Sequence, residues 1–258
     1  MRECKFWTHI ADDLSRRLSI SLIDHPYMLD LGFIDSRAII DKFHQTWWYH
    51  FLNKLGLGSY YFHLRFGVPL LPTVGKRIQR MAQNNILLYE TILSATGKIA
   101  VVDSSKSYLR ALAVYKAAPN ATRIIVLTRD GRGVFHSGLK RGLSPKHALK
   151  DWLTHYQHAL PLYDKHLSRG SMLSVKYESL ASNAAVELKR ICDFLEMPFE
   201  PSMIDYTAVK RHVPNGNIMR FAPKTIRLDE AWRSELSPAM QSYFAQRAGQ
   251  FNSLLGYY

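Results

Sequence analysis

The 258 residues carry 34 Lys and Arg against 21 Asp and Glu, a formal net charge of +13, and 47% of them are apolar. A chain of this size and composition buries a core, and its cation excess favours polyanions, phosphorylated cofactors or acidic surfaces without choosing among them. No apolar run approaches the roughly 18 residues of a membrane span, Met1-Arg-Glu-Cys does not open a signal peptide, and Cys4 and Cys192 are too few for a disulfide framework or a usual zinc site.

The first hundred residues are rich in aromatics and read as mostly helical. Pro69 and Pro72, with Gly56, Gly58, Gly67 and Gly75 around them, place loops between about residues 56 and 75. In FHQTWWYHF (43–51), Phe43, Trp47 and Phe51 recur at i, i+4 and i+8, the spacing of a helix core face. The same aromatics could instead line an acceptor pocket by stacking. The pattern changes at IAVVD (99–103), a continuous apolar run that fits a parallel strand covered on both faces. RIIVLT (123–128) repeats that pattern, and MLSVKY (172–177) does so more weakly. Residues 105–118 fit a helix. Ser144-Pro145, a cap and a good first position, opens another through Trp152, Tyr156 and Leu160, which Pro161 should kink or end. Ser182 can cap a helix with Leu188, Ile191 and Leu195 on one face, and the last helix starts near Pro238 with Met240, Phe244, Phe251 and Leu255 inward. Strands alternating with helices imply an α/β fold with a parallel sheet flanked by helices. Without repeats or a low-complexity linker, 1–258 reads as one domain, helical over 1–98 and α/β over 99–258.

Ligands of open parallel sheets sit beyond the carboxyl ends of the strands. Three such ends are polar here: Asp103-Ser104-Ser105-Lys106, Thr128-Arg129-Asp130 and Lys176-Tyr177-Glu178. In TRDGRGVFHSGLKR (128–141), Arg129 leaves the strand end and can fork onto a phosphate. Gly131 and Gly133 permit a tight turn, the new helix points free N–H groups at the site, and Ser137 falls in its first turns. The competing reading is an Arg-Asp turn salt bridge beside an ordinary helical serine.

VLTRDGRGVFHS resembles the segment of sulfotransferases that binds the 3′-phosphate of 3′-phosphoadenosine 5′-phosphosulfate (PAPS). VVDSSK-x3-R (101–110) is similar to the strand end facing the transferred group in bacterial and carbohydrate-type members. VKYESL (175–180) with LKRICDFLEMPFEP (188–201) resembles the family's YE-x-L and FLG-x-P segment, and HVPNGNIMRF (212–221) and LDEAWRSEL (228–236) its GN-x-x-R and D-x-x-W elements. Five such segments in the family's order span roughly 99–236. The resemblance implies a P-loop-NTPase-like sulfotransferase fold that moves a sulfuryl group from PAPS to a hydroxyl or amine, with 1–98 on the acceptor side. It implies that Arg129 and Ser137 hold the 3′-phosphate, that Tyr177 lies beside adenine, and that Arg220 closes over the nucleotide.

The family's glycine-rich 5′-phosphosulfate loop, of the type G-x-x-R-S-G-T-T, has no counterpart here, and RECKFW (2–7) resembles a segment that members carry well after it. The expectation is a chain that starts late, without the first strand and phosphate loop. Another segment then fills that place in the sheet, or the chain is marginal alone, at about 1–3 kcal/mol per unsatisfied buried backbone group.

Lys106 is the candidate for neutralising the leaving oxygen, with Ser104 and Ser105 donating nearby; a solvated lysine at a helix start is the alternative. For Tyr177 the alternative is core packing with its hydroxyl at the rim. Asp103 is a candidate base, and His44, His50 and His63 read as structural or solvent-facing. No metal is needed in principle. The expected partners are the nucleotide donor and a small-molecule, carbohydrate or lipid acceptor. No membrane span, no sequence-specific nucleic acid and a cytoplasmic location are expected with them, although a lost N-terminus could have carried an anchor. An inactive nucleotide-binding homologue and a basic nucleic-acid-binding domain are the rival functions. A P-loop kinase falls behind for want of G-x-x-x-x-G-K-[ST].

Overall fold

A computed structural model describes residues 4–22, 29–32, 47–205 and 227–258, leaving aside the side chains of 47–53. They form two compact units, one up to Thr122 and one from Arg123 on.

The first unit is helical. In α1 (Lys5–Leu18), Ile10 and Leu14 sit one turn apart and are buried with Leu22 against Leu87, Leu88 and Ile92. α2 (Trp47–Phe66) and α3 (Pro72–Thr96) follow. The expected loops shrink to 67–71, because α2 runs through Gly56 and Gly58 and α3 through Gly75. A helical glycine costs only about 1 kcal/mol against alanine, and buried Tyr60 and Leu64 anchor α2 across its pair. Gly67, at φ +73, is where the chain turns out of the helix. α4 (Tyr108–Ala117) starts later than residue 105, because Lys106 sits at φ +63, outside the helical region. Ser107 caps α4 by accepting from the Arg110 N–H at 3.4 Å.

The expected strand at 99–103 is not formed, and Ile99 and Val102 are 75% and 86% exposed. A strand exists only through its ladder, and among the described residues no strand pairs with this run.

In the second unit, β1 (Ile124–Thr128) pairs in parallel with β2 (Met172–Lys176), Ile124 opposite Met172 and Thr128 opposite Lys176. The crossover between them is α5 (Gly131–Lys140) and α6 (Pro145–His166). β1 buries Ile124, Val126 and Thr128 but leaves Ile125 and Leu127 38% and 47% exposed, so the expected cover on both faces is absent among the described residues. Pro161 does not end α6: buried Ala159, Leu162 and Tyr163 carry the helix through it to His166. α7 (Tyr177–Ser182) and α8 (Ala184–Phe194) follow β2, and Asn183, not Ser182, precedes α8. A 3₁₀ turn at Pro201–Ile204 ends this stretch.

The C-terminal segment adds α9 (Trp232–Glu235), α10 (Pro238–Phe244), a π turn (Ala245–Gly249) and α11 (Gln250–Leu254). Ser237 caps α10 by accepting from the Met240 N–H. Phe135, Trp152, Trp232, Leu236, Phe244 and Ala248 form the core, with Met240, Phe251 and Leu255 packed on it as the helix periodicity requires. Fully burying one such large side chain contributes roughly 1.5–3 kcal/mol. Gly131 admits this packing, since a Cβ there would lie 2.7 Å from both Trp152 and Phe244.

Candidate functional site

The turn that follows β1 is tied down on every side. The Asp130 N–H donates to Glu178 Oε1 at 2.9 Å, and the Gly131 N–H to Asn252 Oδ1 at 2.8 Å. The Arg132 N–H donates to the Asp130 carboxylate at 2.9 Å, and the Gly133 N–H to the Asp130 carbonyl at 3.0 Å. The helix N-terminus that was expected to offer free N–H groups has therefore spent them inside the protein. Asp130 is an N-cap, and it also takes the Arg132 guanidinium at 2.6 Å. Within the turn the Arg-Asp salt bridge joins Arg132, not Arg129, to Asp130, and Arg129 pairs with the distant Asp229.

Arg129 is one-quarter exposed. Its guanidinium lies 4.4 Å from the centre of the Tyr177 ring, close enough for cation–π attraction. Nη2 donates to the Asp229 carbonyl at 3.1 Å and to its carboxylate at 3.0 Å. Tyr177 closes the loop: its hydroxyl accepts from the Asp229 N–H at 3.1 Å and donates to the Arg227 carbonyl at 3.4 Å. A Cβ on Gly133 would lie 3.1 Å from Arg129 Nε and 3.2 Å from Trp232, so a bare backbone lets the arginine lie along α5. Ser137 is one turn beyond Gly133 on the same helix face, half-buried, and its hydroxyl has no hydrogen-bond partner among the described residues. Burial opposes ionisation of Asp229, yet the Ala231 N–H and the neighbouring Arg129 outweigh it, holding the carboxyl below its ordinary range. The neighbourhood is cationic beyond Arg129. Arg132 and Arg233 flank the Trp232 ring at 4.3 and 4.7 Å, and His136 and Lys140 both reach Glu235, at 3.2 and 3.1 Å.

In the first unit, the loop 103–107 is held by side chains rather than by a ladder. Arg110, 3% exposed, donates to the Asp103 carboxylate at 2.5 Å, to the Ser105 hydroxyl, and to the Leu31 carbonyl at 3.4 Å. Tyr89 donates to the same Asp103 oxygen, and the Ser105 N–H to the other at 2.9 Å. Burial works against the Asp103 charge, but the Tyr89 hydrogen bond, the Arg110 charge and the Ser105 bonds prevail and lower its pKa. Burial and then the Asp103 contact push the Tyr89 phenol well above its ordinary value. The Lys106 ammonium is exposed, on a residue whose left-handed backbone turns it out of this network.

The structure thus brings Arg129 against Tyr177, with Ser137 further along α5, and separately Asp103 and Ser105 with Lys106 beside them in the chain. Arg220, Phe43 and His44 lie outside the described residues, as do the side chains of Trp47, His50 and Phe51. His63 bonds the Val68 carbonyl at 2.8 Å and finishes α2. Sequence reasoning missed Asp229, Gly133's clearance for Arg129, Asn252 and Tyr89. Only Asp229 carried a signal, its place in LDEAWRSEL. Among the described residues no His, Cys, Asp or Glu cluster is placed to hold a metal, and no helix is long and apolar enough to cross a membrane.

Residues 69–201, just over half of the chain, match the model of the Sulfotransferase family. The chain belongs to the sulfotransferase family. The matched stretch of this sulfotransferase holds Asp103, Lys106, Arg129, Ser137 and Tyr177, and stops before Asp229. Its fold is similar to that of the sulfotransferase domain of the Synechococcus PCC 7002 olefin synthase, at 22% identity over 75% of this chain and 74% of that one, with a TM-score of 0.52. The sulfotransferase domain from the curacin biosynthetic pathway is 18% identical over 79% and 80% of the two chains, at a TM-score of 0.47. The architecture is accordingly the P-loop-like α/β fold of sulfotransferase domains, mostly helical with a small parallel sheet. No curated protein sequence matches the chain significantly.

Proposed function

We propose that this sulfotransferase takes its sulfuryl group from PAPS and gives it to a hydroxyl or amine of a small-molecule, carbohydrate or lipid acceptor. The observation that carries the reading is the strand-end Arg129, stacked on Tyr177 and lying close to Gly133, one turn before Ser137 on α5. An arginine fork at a strand end and a hydroxyl on the helix that follows it suit a phosphate monoester. Arg129 and Ser137 are the 3′-phosphate ligands in this reading, and Tyr177 offers an aromatic surface to adenine.

In the transfer, the acceptor oxygen or nitrogen bonds to sulfur as the bond from sulfur to the bridging phosphate oxygen breaks. The acceptor proton goes to a base, and adenosine 3′,5′-bisphosphate leaves. In this reading Lys106 neutralises the leaving oxygen, with Ser104 and Ser105 as hydrogen-bond donors nearby. Asp103 suits a positioning role better than that of base. Its carboxylate already accepts from Tyr89, Arg110 and Ser105, and its lowered pKa makes it a weak proton acceptor.

The test is incubation with PAPS and a panel of phenol, sugar, lipid and amine acceptors, following adenosine 3′,5′-bisphosphate. Release that needs an acceptor and is lost in Arg129→Ala supports the reading. PAPS bound and never consumed makes the protein a nucleotide-binding homologue. A folded protein that binds neither PAPS nor its product overturns the reading, and salt-dependent binding to unrelated nucleic acids would favour the rival that its charge allows.

A further inference from the structure

The contact between Arg129 and Asp229 bears on how the proposed 3′-phosphate seat is filled. A guanidinium presents two two-donor edges, the Nη1/Nη2 end and the Nε/Nη2 side, and Nη2 belongs to both. In this structure Nη2 donates to both the carboxylate and the carbonyl of Asp229, at 3.0 and 3.1 Å. With Asp229 in place, a phosphate can reach Arg129 through only one donor at a time, and it approaches a carboxylate of its own sign.

Arg129 is the less movable of the two. Tyr177 covers one face of its guanidinium at 4.4 Å, and the Arg129 side chain is 25% exposed. Asp229 is 59% exposed, and residues 227–230 around it have no regular structure. The carboxylate is therefore the group that yields.

We infer that Asp229 sets the affinity of the nucleotide seat: its carboxylate occupies Arg129 as a stand-in for the phosphate and is displaced when the nucleotide binds. This rests on the proposed 3′-phosphate reading. Asp229 is then not a ligand of the nucleotide, and its charge weakens binding.

Titration with adenosine 3′,5′-bisphosphate, comparing wild type with Asp229→Asn and Asp229→Ala, tests the inference. Asparagine can still accept from the Ala231 N–H as Asp229 does at 3.2 Å, so the local turn survives while the charge goes. Both variants should bind about three- to tenfold more tightly than wild type, the scale of one exposed charge pair and its like-charge repulsion. Glu230→Gln is the control, because Glu230 carries the same charge next door but pairs with Arg233 at 2.7 Å; its affinity should stay unchanged. Tightening in Glu230→Gln equal to that in Asp229→Asn overturns the inference in favour of a general charge effect. Unchanged or weaker binding in both Asp229 variants also overturns it, while an Arg129-dependent wild-type affinity leaves the 3′-phosphate reading standing. If folded wild type and variants all fail to bind, both fall together.

Discussion

Two polar turns carry the candidate chemistry, and they are held by opposite means. The turn after β1 spreads its anchoring: four successive N–H groups, Asp130 to Gly133, are each accepted by a protein oxygen, three of them on the side chains of Glu178, Asn252 and Asp130 and one on the Asp130 carbonyl. The loop 103–107 has no ladder, and one buried side chain, Arg110, gathers Asp103, Ser105 and the Leu31 carbonyl around itself. A turn with several separate anchors can lose one side chain and keep the others' hold on its shape. A loop organised around one buried cation cannot, because removing the cation strands the carboxylate and carbonyl it served.

Arg110→Ala should have the largest effect, destabilising by about 2–4 kcal/mol in denaturant unfolding. A midpoint unmoved by this substitution would mean that the loop is held by something else. Asn252→Ala is the matching perturbation of the other turn. It strands the Gly131 N–H and removes two donations, to Asp130 and to the Tyr257 carbonyl, and should cost about 1–3 kcal/mol. An effect larger than that of Arg110→Ala would reverse the comparison.

Gly133→Ala separates site from stability. Its methyl would press on Arg129 Nε and Trp232, so nucleotide affinity should fall several-fold while stability moves by only about 1 kcal/mol. Equal losses in both would show that Gly133 serves packing alone.

The smallest effect is on pH dependence. Asp103's folded pKa is lowered, so its contribution is present above the unfolded value of about 3.9 and is lost as pH falls through the folded pKa. Tyr89's is raised, so its contribution is present below about pH 10 and is lost as pH rises toward the folded value. Asp103→Asn should flatten the acid limb of the stability profile and Tyr89→Phe the alkaline limb. Limbs unchanged by either variant would contradict the network.

What the sequence made legible was local. RIIVLT ends in a strand, Ser144-Pro145 opens α6, and Met240, Phe244, Phe251 and Leu255 share an inner face, because each depends on neighbours a few residues away. Arg129, Ser137 and Tyr177 were singled out as candidates by the same kind of signal, short spacings and the order of five segments. What was not legible lay between distant residues. Asn252 takes the Gly131 N–H across 121 positions and Glu178 the Asp130 N–H across 48, which is why free N–H groups were expected where none remain. IAVVD has the composition of a strand, but its state depends on a pairing partner elsewhere. Pro161 did not end α6, since burial on either side outweighed one missing donor.

The most direct measurement is calorimetric titration of the wild-type protein with adenosine 3′,5′-bisphosphate and with AMP, beside Arg129→Ala and Ser137→Ala. Binding that needs the 3′-phosphate, is lost in Arg129→Ala and is weakened in Ser137→Ala is the predicted result. Equal affinity for AMP and the bisphosphate, or binding untouched by Arg129→Ala in a folded protein, would contradict the account.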